Sequence, residues 1–171
     1  SHSIGANGYL GIYQGNVNDG PPASSNGYSA VLTPSAGIFL AAIVNEVAPA
    51  SAAQSTSYNT FGFGLLGAHL PLVESSGSDG WSTGLGVMNT GTVATTVTIT
   101  YYDAATGTPV GTPFTSASLA PNAFLGVYQP TAGLPAGSRA TAVVTGSSVD
   151  AQFAVICNES SATTFMSYNG Q

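Results

Sequence analysis

Thr95-Thr96-Val97-Thr98-Ile99-Thr100-Tyr101-Tyr102 decides the fold class. Val97, Ile99 and Tyr101 fall on one side of an alternation and threonine on the other. Period two is the signature of a strand with one dry and one wet face. Working outward, Ile38–Val44 and Phe153–Cys157 are apolar on both faces and predict central, covered strands. Short strands are expected at Tyr9–Gln14, Ala30–Thr33, Leu85–Asn89 and Phe124–Gln129. Turn chemistry separates them: Asn7-Gly8, Asp19-Gly20-Pro21-Pro22, Asn26-Gly27, Asp79-Gly80, Asn89-Thr90-Gly91 and Thr106-Gly107-Thr108-Pro109. With 22 Gly and 10 Pro, no helix of useful length is expected. Many short strands with regular turns read as an all-β sandwich.

The chain also matches itself. Ser1–Gln14 aligns without a gap on Ser116–Gln129, with seven identities in fourteen positions. Ala30-Val31-Leu32-Thr33 then aligns on Ala142-Val143-Val144-Thr145. Ala41-Ala42-Ile43-Val44-Asn45-Glu46 aligns on Ala154-Val155-Ile156-Cys157-Asn158-Glu159, and Ser57-Tyr58-Asn59 on Ser167-Tyr168-Asn169. Four blocks in one order divide the chain into a partial repeat at 1–60, a connector at 61–79 and a complete repeat at 80–171. The complete repeat has a front half, 80–115, and a back half, 116–171. Residues 1–60 are a second back half, so about one and a half copies are present and one back half lacks a front.

Composition narrows the partners. Charged residues are only 5% of the 171, and Arg139 is the single basic residue against seven acids. Phosphate recognition needs clustered Lys and Arg, so nucleic acid is excluded, as is attraction to an anionic membrane. The longest apolar run is Ile38–Val44, too short to span a bilayer. Eight Tyr and seven Phe argue against disorder. Cys157 stands alone in an apolar run and reads as a small buried hydrophobe. Ser1-His2-Ser3 shows no leader, so an exported chain is read here in its mature form.

Trp81-Ser82-Thr83-Gly84-Leu85-Gly86-Val87-Met88-Asn89-Thr90-Gly91, followed by Thr96–Asp103, resembles a tandem immunoglobulin-like repeat of secreted and surface proteins of bacteria. Leu70-Pro71-Leu72-Val73 stands where such repeats carry an apolar strand before the Trp segment. Glu46 with Tyr58, and Glu159 with Tyr168, fall where the repeat ends a strand and closes on a Ser-Tyr-Asn turn. The resemblance implies immunoglobulin-like sandwiches, an extracellular or cell-surface location and no reaction.

Motifs for chemistry are weak. Gly80-Trp81-Ser82-Thr83-Gly84 has the G-x-S-x-G pattern, but a strand follows it, and His2 and His69 both precede the serine. Trp81 reads instead as a core anchor. Asn45-Glu46 and Asn158-Glu159 recur as polar pairs ending buried strands, expected to cap backbone N–H groups or a nearby loop; calcium ligation by them is the weaker alternative. No enzyme activity and no cofactor or metal is expected. Asn158-Glu159-Ser160 fits the N-glycosylation acceptor pattern. Tyr9, Tyr13, Tyr101, Tyr102 and Tyr128 suggest a sugar-stacking platform as the rival reading.

The favoured expectation is a structural subunit of an extracellular filament or surface layer, a homopolymer joined by β-strand pairing. An uncovered half-sandwich exposes strand edges, and the chain has no Lys to blunt them. The segments expected to cross between subunits are Ser1–Gln14, through Ile4, Tyr9, Leu10 and Ile12, and the connector, through Phe61, Phe63, Leu65, Leu66, Leu70 and Leu72. A carbohydrate-binding module and a fragment of a surface stalk are the alternatives.

Overall fold

A computed structural model describes residues 1–13, 29–47 and 54–171. The turns expected at Asp19–Pro22 and Asn26-Gly27 lie outside the described residues, as does Gln14. Among the described residues there are ten strands: β1 Ile43–Val47, β2 Ser55–Asn59, β3 Gly67–Ser75, β4 Ser82–Asn89, β5 Val97–Asp103, β6 Phe114–Thr115, β7 Phe124–Tyr128, β8 Ser138–Gly146, β9 Phe153–Ser160 and β10 Phe165–Asn169. One 3-10 turn, Gln129–Thr131, follows β7.

Eight strands form two antiparallel four-stranded sheets, ordered β10-β9-β4-β7 and β3-β8-β5-β6. The alternation at Thr95–Tyr102 acts as expected: Val97, Ile99 and Tyr101 point inward and are buried. They meet Val144 and Ala142 from β8, and Val87, Val155 and Phe153 from the opposite sheet. Inward residues from both sheets make one core, as sheet-on-sheet packing requires. The Tyr101 hydroxyl donates to Ala132 O at 3.0 Å, so even the polar tip of this core residue is satisfied.

The segment 61–79 supplies a strand to this sandwich. β3 pairs with β8 from Gly67 to Ser75, with an irregularity between Leu70 and Val73. Pro71 sits at that irregularity on an edge strand, where a missing N–H does least harm. Just before β3, Leu65 exchanges two 2.8 Å backbone bonds with Phe153, tying the connector to the first sheet. The sandwich thus takes in Leu65–Ser75 together with the 80–171 unit. Among the described residues, the first buried one along the chain is Ala68.

Several local expectations differ from the structure. Ile38–Val44 was expected as a covered central strand, but the strand runs Ile43–Val47, and Ile38, Phe39 and Leu40 are exposed. Tyr9–Tyr13 and Ala30–Thr33 carry no ladder. The reason is shared: a strand acquires its regular hydrogen bonds from neighbours, and these segments have none among the described residues. Trp81 is half-buried in the turn that connects β3 of one sheet to β4 of the other, where its carbonyl accepts Gly77 N–H at 2.9 Å. The bulk of the core comes instead from Tyr101, Phe153 and the aliphatic residues.

Candidate functional site

Among the described residues before Phe61, the turn at Asn7 and the hairpin β1–β2 keep the local conformations of their sequence matches. Asn7 has φ 57° and its match Asn122 has φ 62°. Gly8 N–H donates to Gly5 O at 2.8 Å, and Ala123 N–H to Ala120 O at 3.0 Å. The hairpin β1–β2 has the register of β9–β10: Ile43↔Asn59, Val44↔Tyr58 and Asn45↔Ser57 stand beside Ile156↔Asn169, Cys157↔Tyr168 and Asn158↔Ser167. Turn chemistry and cross-strand contacts are local and survive alone.

Long-range cover is what differs. Phe153 is 0% exposed, and its match Leu40 is 48% exposed; Val144 and Leu32 stand at 0% and 51%, Val127 and Ile12 at 4% and 41%. In the closed sandwich, β4 covers both β9 and β7, and β3 and β5 flank β8. Among the described residues, the segments at 9–13, 30–33 and 40–47 have no such strands. Ile4, Tyr9, Leu10 and Ile12 are all exposed, as are Phe63 and Leu66 of the connector; Phe61 and Leu65 are half-buried. Leu70 is buried and Leu72 partly so, within this chain's own sandwich.

The polar pairs sharpen the contrast. Glu159 is fully buried, and its two carboxylate oxygens each lie 2.7 Å from Thr83 Oγ1 on β4. Thr83 Oγ1 in turn accepts Glu74 N–H at 2.7 Å, and Cys157 Sγ donates to Glu159 Oε1 at 3.3 Å. The Tyr168 hydroxyl donates to Leu72 O on β3. Glu159 was expected to cap backbone N–H groups; it accepts a hydroxyl and a thiol instead, because it faces the sandwich interior rather than a loop. Among the described residues, Glu46 has no hydroxyl partner in the place of Thr83. Tyr58, matched to Tyr168, donates to Glu46 Oε1 at 3.3 Å, and Asn158 Nδ2 donates to Glu46 Oε2 at 3.3 Å. Burial and the neighbouring Glu46 push the Tyr58 hydroxyl up to about 12.

The hairpin rests beside β10 without a ladder between them: Asn169 Nδ2 donates to Asn59 O at 3.0 Å. Asn158, the glycosylation candidate, is part-buried in this contact, and its Oδ1 also accepts Ser167 Oγ at 2.6 Å. Asn45 is exposed on the far side of β1.

Burial raises the Glu159 carboxyl above the usual carboxylate range, and the Glu74 carboxylate adds to it, while Thr83 and Cys157 pull the other way. A group whose folded pKa is raised contributes stability that is full below its unfolded value, about 4.3 for Glu. That contribution is lost as pH rises through the folded value. Melting temperature should therefore fall as pH rises from the ordinary carboxylate range toward neutrality, and Glu159→Gln should flatten that slope. Thermal melts at stepped pH check this; an unchanged slope in the variant would assign it to another group. Asp103, exposed and held low by Thr106, acts in the opposite sense and below that window.

Other candidate chemistry is dispersed. Ser82 lies on β4, its Oγ accepting Ser76 N–H at 3.3 Å, and no helix follows it. Arg139 pairs with the buried Glu74 and with Asp79. Cys157 is buried and its thiol is pushed well up by desolvation, which suppresses thiolate chemistry. Tyr101 is in the core while Tyr9, Tyr13 and Tyr128 are exposed, so the five tyrosines share no single face. Among the described residues, no group of three or more His, Cys, Asp or Glu is placed to hold a metal ion. Among the same residues, no helix is long and apolar enough to cross a membrane.

No protein-family model matches the chain, and no curated protein does. Among solved structures, the chain is similar to a crystal structure of Thermotoga maritima 1070, with a TM-score of 0.52 and 16% identity. The match covers 63% of this chain and 94% of that one. At such identity the likeness concerns the fold alone.

Proposed function

We propose that this chain is a structural subunit of an extracellular filament or surface layer, built from about one and a half immunoglobulin-like repeats. Subunits join by β-strand pairing through the N-terminal half. The observation that carries this reading is the paired contrast at matched positions: residues buried in the closed sandwich have counterparts before residue 61 that stand in solvent. Exposed apolar strand edges are templates for pairing with another chain. Native sequences blunt such edges with Lys, of which this chain has none. Because the open half and the closed sandwich are different surfaces, their contact is heterologous and propagates rather than closing. An extracellular location follows from the resemblance and from a surface of hydroxyls and amides in place of charges.

Negative-stain micrographs of the native protein test it. Regular polymers are expected, and Leu40→Lys, which puts a charge on the open edge, should abolish them without changing the melting temperature of the sandwich. A single sedimenting species of 17.0 kDa at every concentration would overturn the reading.

A carbohydrate-binding role is the second reading. It draws on an open cleft between the hairpin and the sandwich, lined by Ser57, Tyr58, Asn59, His69, Ser167 and Asn169. Hydroxyl, amide and aromatic groups together suit a sugar. A saccharide-dependent rise in melting temperature, with no polymers, would favour it.

A further inference from the structure

We infer that the closed sandwich carries an internal hydration site at Gln129, where a sequestered water links the Gln129 amide, at the end of the first sheet, to the Tyr101 hydroxyl on the second. The inference is independent of the proposed assembly, because it concerns the closed sandwich alone.

Gln129 opens the 3-10 turn Gln129–Thr131, directly after β7. Glutamine is seldom sealed in a core, yet this side chain is 0% exposed and is among the largest fully buried ones. Neither its Nε2 nor its Oε1 has a hydrogen-bond partner in the protein. A buried polar group costs more when unpaired than an ordinary hydrogen bond contributes, so natural cores rarely keep one dry. The residue also recurs in the chain's self-match, with Gln14 at the place of Gln129.

The protein groups around the turn are already paired with one another. Gln129 O accepts Ala132 N–H at 3.0 Å, Tyr128 O accepts Thr131 Oγ1 at 3.0 Å and Gly133 O accepts Thr112 N–H at 3.0 Å. The Tyr101 hydroxyl gives its single proton to Ala132 O at 3.0 Å, and keeps a lone pair that can accept. Burial pushes this hydroxyl up to about 12, and the Gln129 amide draws it back. The two side chains are therefore neighbours, although no direct hydrogen bond joins them. A water between them accepts from Nε2–H and donates to Tyr101 Oη. Ser75 Oγ is likewise buried without a partner, on β3, which packs against the same turn. It supplies a third polar group on the elements that meet here.

The occupant is water rather than a solute. At 0% exposure the amide opens on no mouth through which a larger molecule could enter. Its recognition groups are a neutral amide and neutral hydroxyls, which suit water and offer an ion no counter-charge. Globular proteins hold about one buried water per 27 residues, typically on groups otherwise left unsatisfied. Tyr101 belongs to β5 and Gln129 follows β7, so the water fastens one sheet to the other.

Oxygen-17 magnetic relaxation dispersion of the intact protein, measured over a range of temperatures, tests this, because it counts waters held for longer than the molecule takes to tumble. Gln129→Leu should lower the dispersion amplitude by about one water molecule per chain. Gln152→Leu, at an exposed glutamine, should leave it unchanged. Equal amplitudes for Gln129→Leu and the parent protein would overturn the inference. Where the leucine variant does not fold, a high-resolution crystal structure of the parent protein decides the matter. Density for a water within hydrogen-bond distance of both Gln129 Nε2 and Tyr101 Oη is expected. A direct hydrogen bond between those two side chains, or a dry amide, would overturn the inference equally.

Discussion

Phe153→Ala should destabilise the isolated protein by about 3–5 kcal/mol, and Leu40→Ala, at the matched position, by no more than about 0.5 kcal/mol. Phe153 is among the largest fully buried side chains and sits in the core between the two sheets. Truncating it removes its transfer free energy and leaves a cavity that rigid sheets do not refill. The expected loss is a large share of the 5–15 kcal/mol typical of a domain. Leu40 is half in water already, so truncation removes little. Urea denaturation of dilute protein measures both values. Equal losses at the two sites would mean that the N-terminal half is covered in the isolated chain, and the assembly reading would lose its support.

Thr83→Val should cost about 2–4 kcal/mol, and Thr83→Ser much less. Valine keeps the volume and removes the hydroxyl. The Glu159 carboxylate then loses its closest donor, and Glu74 N–H loses its acceptor. The hydroxyl has a single proton, so it serves one carboxylate oxygen at a time and fixes the pair as a unit. Because removing it disfavours the ionised form, the deficit of the valine variant should grow as pH rises toward neutrality and shrink in mild acid. Denaturation at two pH values, with the serine variant as reference, checks this. A loss that is the same for serine and valine, or independent of pH, would show that packing rather than the hydrogen bond is at stake.

The same two positions explain how much of the molecule is legible in its residues. Val97, Ile99 and Tyr101 announce their shared face through spacing alone, because alternation is a property of the extended backbone. The self-match between Asn45-Glu46 and Asn158-Glu159 is equally visible, and so is the shared turn at Asn7 and Asn122, which requires left-handed backbone in both places. The partners of Glu159 are not visible. Thr83 lies 76 residues away, and nothing local tells a threonine that meets a carboxylate from one that meets water. Trp81 misleads for a related reason: size favours burial, but its place in the turn between the two sheets leaves it half outside.

Determined by the residues themselves were the strand class, the turns, the one-and-a-half-fold self-similarity and the scarcity of charge, since each depends on neighbours a few positions apart or on composition. The tertiary structure alone decided which back half is closed, that Gly67–Ser75 joins its sheet, and that Glu159 is sealed while its counterpart Glu46 is not. Those outcomes depend on strands brought together across long stretches of chain, and a strand's own sequence does not say whether another will arrive to cover it.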